Sequence, residues 1–241
     1  NVGGGIRING GSTVNTNGDV TIGSKNSSNS STLIQGTINA QSGNLTLLGK
    51  ANSATQYDTT AGVWLQDSAG HTAKIVGTNG ANITIDGTNT LSDSGVNLSV
   101  NNSANSITTT GTSSTGAVGN ISITGTSASG HGISNAATTI SNTSTNSSTG
   151  ANGNITLTGT SNAGNKFGIN SNGVITSAGL VKMTGTAKGT YQGAYVGAKV
   201  EGGNVDIYGS STGGVGVEVN ALVKATDTSS TASGVTITGF G

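Results

Sequence analysis

The sequence predicts an all-β fold: a parallel β-helix, or solenoid, of about eight coils with three parallel sheets. Three observations predict it. One motif recurs eight times along the chain, its apolar residues stand two apart, and the composition is dominated by poor helix formers and holds no Pro. Gly, Thr, Ser and Asn fill 141 of the 241 positions, and these types are poor in helix interiors. Apolar residues make only 31% of the chain, which would suit disorder. That reading fails because the usual disorder signature of high net charge with Pro, Glu and Lys is missing. The apolar residues are mostly Ile, Val and Leu in short alternating runs bounded by Gly, Asn and Ser, which is the pattern of half-buried strands.

Each unit holds three short segments in a constant order. The first reads GIRI from Gly5, then STVN, then the longer GDVTIG from Gly18. The second follows as TLIQ, GTIN and GNLTLLG, the third as GVWL, AKIV and GANITIDG, and the fourth as GVNL, NSIT and GNISITG. The last four continue the series: GISN, TTIS, GNITLTG; GINS, GVIT, GLVKMTG; AYVG, GAKV, GNVDIYG; and GVEV, ALVK, GVTITG. Units thus begin near Gly5, Thr32, Gly62, Gly95, Gly132, Gly168, Ala194 and Gly216. Their lengths vary mainly in the Ser/Thr/Asn/Gly stretches after the long motif. Three strands per repeat without a helix imply that each unit is one coil, stacked on the next. At a strand spacing of about 4.8 Å, eight coils give a rod roughly 40 Å long.

The alternation assigns faces. In the long motif the apolar pairs Val20/Ile22, Leu45/Leu47, Ile83/Ile85, Ile121/Ile123, Ile155/Leu157, Val181/Met183, Val205/Ile207 and Val235/Ile237 point inward. Narrow stacks of this kind need few apolar residues, and each backbone group is paired by the coil above or below. The absence of Pro fits, since every strand must donate to its neighbours. Ahead of the long strand stand Asp19, Asn44, Asn82, Asn120, Asn154 and Asn204. Asn tolerates tight turns, and in-register amides bond one another, so these form a structural ladder. Asn44, Asn82, Asn120 and Asn154, with Asn97, Asn142 and Asn146, are also glycosylation sequons. A chain so rich in Asn, Ser and Thr makes such triplets by chance.

Composition also excludes functions. Nine basic and nine acidic residues cancel, so no net charge draws the chain to nucleic acid or an anionic membrane. No apolar run is long enough to cross a bilayer as a helix. With no Cys, disulfides and thiolate zinc sites are impossible, and no cofactor motif appears. A polysaccharide-active enzyme would need clustered carboxylates, but residues 94–165 contain no Asp, Glu, Lys or Arg. His71 and His131 lie in separate turns and read as solvated residues, so a non-enzymatic role is expected.

The tandem units GNISITGTSASGHGISNAATTIS and GNITLTGTSNAGNKFGINSNGVITS resemble the repeat regions of filamentous-haemagglutinin-like exoproteins of Gram-negative bacteria, over essentially the whole chain. These are long surface adhesins, many exported by two-partner secretion through an outer-membrane transporter. The resemblance implies a right-handed parallel β-helix, a secreted or cell-surface location, and a role as stalk or adhesive surface toward host cells or glycans. The amino-terminal secretion domain of that family carries Asn-Pro motifs. This Pro-free chain is therefore expected to be a single segment, residues 1–241, of the repeat body of a larger exported protein.

Two outward features are candidate contact surfaces. Thr46, Thr84, Ser122, Thr156 and Thr236 share one outward column, and Thr124, Thr158, Thr184 and Thr238 a second. A flat Thr array suits ice binding, although Thr also simply suits exposed strands. The other feature is aromatic. Residues 166–227 hold half of the charged residues and, in Phe167, Tyr191, Tyr195 and Tyr208, most of the aromatics. Tyr191, Tyr195, Tyr208 and the outward Trp64 are the candidate ligand contacts, because exposed aromatics with a polar tip serve sugars and partner surfaces. The competing reading is that they cover a sheet face or pack under loops.

Overall fold

The computed structural model describes residues 5–26, 30–52, 61–68, 70–98, 105–113, 118–227 and 234–241. Over these the chain is all-β, with three sheets of eight parallel strands each. Every coil contributes one strand to each sheet, and each sheet runs through the coils in order. The architecture is the parallel β-helix expected, with about eight coils.

The first sheet runs from Ile6–Ile8 to Val217–Val219 and the second from Thr13–Thr16 to Val223–Ala225. The third holds the long strands, from Val20–Gly23 to Val235–Phe240. Their register keeps like over like: Ile83 faces Ile121, which faces Ile155, which faces Val181. Inward positions of the long strands are buried in the six interior coils, with Leu47, Ile123 and Met183 fully enclosed. Each fully buried Ile or Leu contributes about 1.5–3 kcal/mol. In the two end coils the same positions open: Val20 and Ile22 are half-buried, and Val235 and Ile237 are 42% and 46% exposed.

Two details differ from the sequence reading. The long strands do not end at the motif's final Gly but pass through it, as in Asn82–Asn89 and Leu180–Ala187. That Gly stands at an inward position where the start of the next coil crosses closely. A Cβ on Gly125 would overlap the carbonyl of Gly132, and one on Gly159 that of Gly168. Glycine is required there for approach, not for an unusual dihedral. Long insertions also occur before the long motif as well as after it. There a small two-stranded parallel ribbon pairs Thr112–Ser113 with Thr145–Asn146.

Beyond the crossing Gly the inward column carries Asn89, Ser127, Ser161 and Ser211 beside Ala51 and Ala187, and its three serines hold the corner that leads back to the first sheet. Ser127 Oγ donates to the Asp93 carbonyl, Ser161 Oγ to that of Gly130 (2.7 Å), and Ser211 Oγ to those of Gly189 and Tyr191 (2.8 and 2.7 Å). These bonds satisfy buried carbonyls and fix successive corners in one stack. Phe167 and Tyr191 stand on these corners.

Candidate functional site

The residue preceding the first-sheet strand's Gly forms a vertical column. The Gly132 amide donates to the Phe167 carbonyl, Gly168 to Gln192, and Gly193 to Val215. This ladder sets His131, Phe167, Gln192 and Val215 one above another. The His131 and Phe167 rings stack at 5.3 Å between centroids, 23° from parallel. Phe167 then meets Tyr191 edge-on at 5.0 Å and Tyr195 at 5.4 Å, tilted 46°. Such offset and edge-to-face pairs are the favoured aromatic geometries. Tyr191 comes from the 188–193 corner, where the Ser211 hydroxyl holds its carbonyl. Tyr195 comes from the outward face of Ala194–Val196, between Asn170 and Glu218 in the sheet register.

Above the rings lies a fixed carboxylate. Gln192 Nε2 donates to Glu218 Oε2, and Asn220 Nδ2 donates to Glu218 Oε1 at 2.7 Å and to the Tyr195 hydroxyl at 3.5 Å. Phe167, Thr190, Tyr191, Gln192, Tyr195 and Glu218 line an open cleft of about 380 Å³. Tyr191 is 42% exposed at its rim. Glu218 is the one charged residue in that lining. The arrangement offers an aromatic platform beside preorganised polar groups.

His131 is not the solvated turn residue that its sequence setting suggests. Its Nδ1 accepts the Phe167 amide at 3.1 Å. Burial lowers its pKa from 6.5 to about 4, helped by Lys166 and opposed by Asp93. The ring is therefore neutral at pH 7, with its proton on Nε2.

The structure brings Tyr191 and Tyr195 together and leaves the other two candidates apart. Tyr208 lies outward on the third sheet with its ring 5.8 Å from that of Phe240. Trp64 stands half-buried in the outward column of the first sheet, between Leu33 and Asn97. Sequence reasoning missed Phe167, His131, Gln192, Glu218 and Asn220 as parts of one site. A signal did exist: aligning the units on the first-sheet Gly puts His131, Phe167 and Gln192 in one column.

The Asn ladder is present over the first five coils. Asn44 donates through its amide and Nδ2 to Asp19 Oδ1 (2.8 and 2.9 Å), and Asn82 Nδ2 donates to Asn44 Oδ1 at 2.9 Å. The backbone amides of Asn120 and Asn154 donate to Oδ1 of Asn82 and Asn120, each at 2.9 Å. The ladder then meets Leu180, whose amide donates to Asn154 Oδ1 at 2.8 Å. Asn204 stands in register beyond Leu180, and its Oδ1 accepts the Gly234 amide at 3.0 Å.

The outward Thr columns are in register, and the strand extension adds a third, Thr88–Thr126–Thr160–Thr186. Over four coils, three outward positions each between 84 and 186 make a grid in which only Asp86 and Lys182 lack a hydroxyl. Asp86 is bonded at 2.7 Å to Lys25, which reaches across from the first coil's corner.

Comparison with protein-family models, with curated proteins and with solved structures gave no match.

Proposed function

We propose that this chain is a segment of a bacterial surface adhesin of the filamentous-haemagglutinin-like kind, acting as a rigid stalk and as a contact surface for host-cell glycans. The observation that carries this reading is the unbroken register of three parallel sheets through eight coils. Such a stack pairs every strand of its interior coils on both sides. Pairing neighbours leaves no lateral edge along the rod and resists bending without a large core. The second support is that the aromatic cleft is exposed on the flank of the rod, where a stalk would offer a contact. In this reading the parent protein crosses the outer membrane through a transporter, the chain works at the cell surface, and it turns over no substrate.

The test is adhesion of beads coated with the chain to host epithelial cells. Saturable binding that free chain competes away is expected. Beads that bind no better than beads coated with an unrelated β-rich protein would remove the contact role.

The hydroxyl grid favours one further reading, ice binding. The grid repeats at about 4.8 Å along the stack and roughly 6.6–6.8 Å along the strand, and a regular, rigid hydroxyl array can order a water layer. Thermal hysteresis in a dilute solution of the chain, abolished by Thr158→Lys at the grid's centre, is the outcome this reading requires.

A further inference from the structure

We propose that the cleft bounded by Phe167, Tyr191, Tyr195 and Glu218 binds one uncharged pyranose unit of a glycan. This rests on the contact role proposed above and names the ligand class and the residues that hold it. Three features of the cleft select that class.

The first is the arrangement of the rings. An aromatic cage for an ammonium group needs ring faces set around an empty centre. Here Phe167 is already in contact with Tyr191 at 5.0 Å and Tyr195 at 5.4 Å, and its remaining face is stacked on His131. Phe167 is therefore packed against three neighbouring rings rather than standing free as one wall of a cage. What they expose is a stepped platform of rings inclined to one another, Tyr191 at 83° and Tyr195 at 46° to Phe167, with Tyr191 at its outer rim. The C–H-bearing face of a pyranose is apolar and flat enough to lie on such a platform.

The second is the row of planar polar groups. Glu218 is held by the amides of Gln192 and Asn220, so its carboxylate cannot swing away. Its oxygens retain acceptor capacity for adjacent sugar hydroxyls, the Gln192 amide keeps a second N–H, and both amides keep a carbonyl oxygen. Prepaid ordering of this kind removes part of the entropic cost of binding. The cleft, about 380 Å³ and open to solvent, has room for one or two rings of a longer chain.

The third is charge. The single acidic or basic residue of the lining is Glu218, a carboxylate type that repels a sialic acid or uronate carboxylate brought into the same small volume. The expected ligand is therefore neutral.

The experiment uses the full chain on an array of neutral and sialylated glycans. Calorimetry then follows with the best neutral oligosaccharide, with sialyllactose and with choline chloride. Saturable binding of a neutral oligosaccharide is expected, weakened about tenfold or more by Tyr191→Ala and by Tyr195→Ala. Trp64→Ala and Tyr208→Ala, which lie outside the cleft, should leave it unchanged. Glu218→Gln keeps the shape of the side chain and removes the charge, so it should narrow the preference for the neutral glycan over its sialylated counterpart. Each variant is checked for an unaltered β-sheet circular dichroism spectrum and melting transition.

Failure of every neutral glycan to bind overturns the proposal. So does equal binding by Tyr191→Ala and Tyr195→Ala, or a preference for choline or sialyllactose. The same variants in the bead assay separate this proposal from the adhesin reading. Beads that adhere to cells regardless of the tyrosine substitutions sink the cleft and leave the adhesin. A chain that binds free saccharide in the cleft but adheres to no cell does the reverse.

Discussion

A single glycine shows how tightly the coil is wound. Gly125 lies at an inward position of Ile121–Ser127, and the next coil's Gly132 carbonyl passes where its Cβ would stand. Gly125→Ala therefore forces backbone apart in two coils at once, and a loss of about 1–3 kcal/mol or more is expected. Urea unfolding measures it directly; a midpoint matching wild type would mean that the crossing is looser than its geometry. His131 supplies a second residue-scale prediction. Its folded-state pKa is lowered from 6.5 to about 4, so folding favours the neutral ring. The unfolded state binds the extra proton first, so the stabilisation is present above pH 6.5. It is lost progressively as pH falls from 6.5 toward 4. The melting temperature should decline over that window, and His131→Phe, which keeps a ring against Phe167 and cannot titrate, should flatten the decline.

The elements of the coil were legible because each obeys the two-residue period. Inward Ile, Leu and Val alternate with outward Thr and Ser, and a slip of one residue would expose them all. The strand extension past Gly49, Gly87 and Gly125 was hidden, since a mid-strand Gly reads locally as a stop. The ribbon of Thr112–Ser113 with Thr145–Asn146 was hidden for a related reason: it carries no apolar alternation. The aromatic site was half legible. Exposed tyrosines near charge could be picked out residue by residue, but their grouping depends on which coils meet at a corner. The stack places Tyr191, Tyr195 and Glu218 on adjacent coils and Tyr208 on another sheet. The Asn ladder gives a prediction at this scale. Leu180 interrupts it between Asn154 and Asn204. Leu180→Asn would supply an Nδ2 toward Asn154 and an Oδ1 toward the Asn204 amide. A gain of about 0.5–1.5 kcal/mol is expected for the restored bonds, read as a raised denaturation midpoint. Asn82→Ala, which removes a central rung, should lower the midpoint by a similar amount.

As a whole molecule the chain is a column of coils whose sheet strands pair only with those of adjacent coils, so stability is to first order a sum of coil and interface terms. Position along the column should then decide the cost of a core substitution more than its chemistry does. Ile123 and Ile237 occupy equivalent inward places on the third sheet. Ile123 is fully buried between Ile85 and Leu157, whereas Ile237 has only Ile207 beside it and is 46% exposed. Ile123→Ala empties a closed site with neighbours on both sides and should cost about 2–5 kcal/mol. Ile237→Ala removes a side chain that already meets water and should cost well under about 1 kcal/mol. Hydrogen exchange should grade in the same way, with slow amides in the interior coils and fast ones in the first and last. Uniform protection along the column would mean that it opens as one cooperative block. Graded protection would mean that a rod of this kind frays from its ends while its middle, which carries the stacked His131 and Phe167 rings, stays ordered.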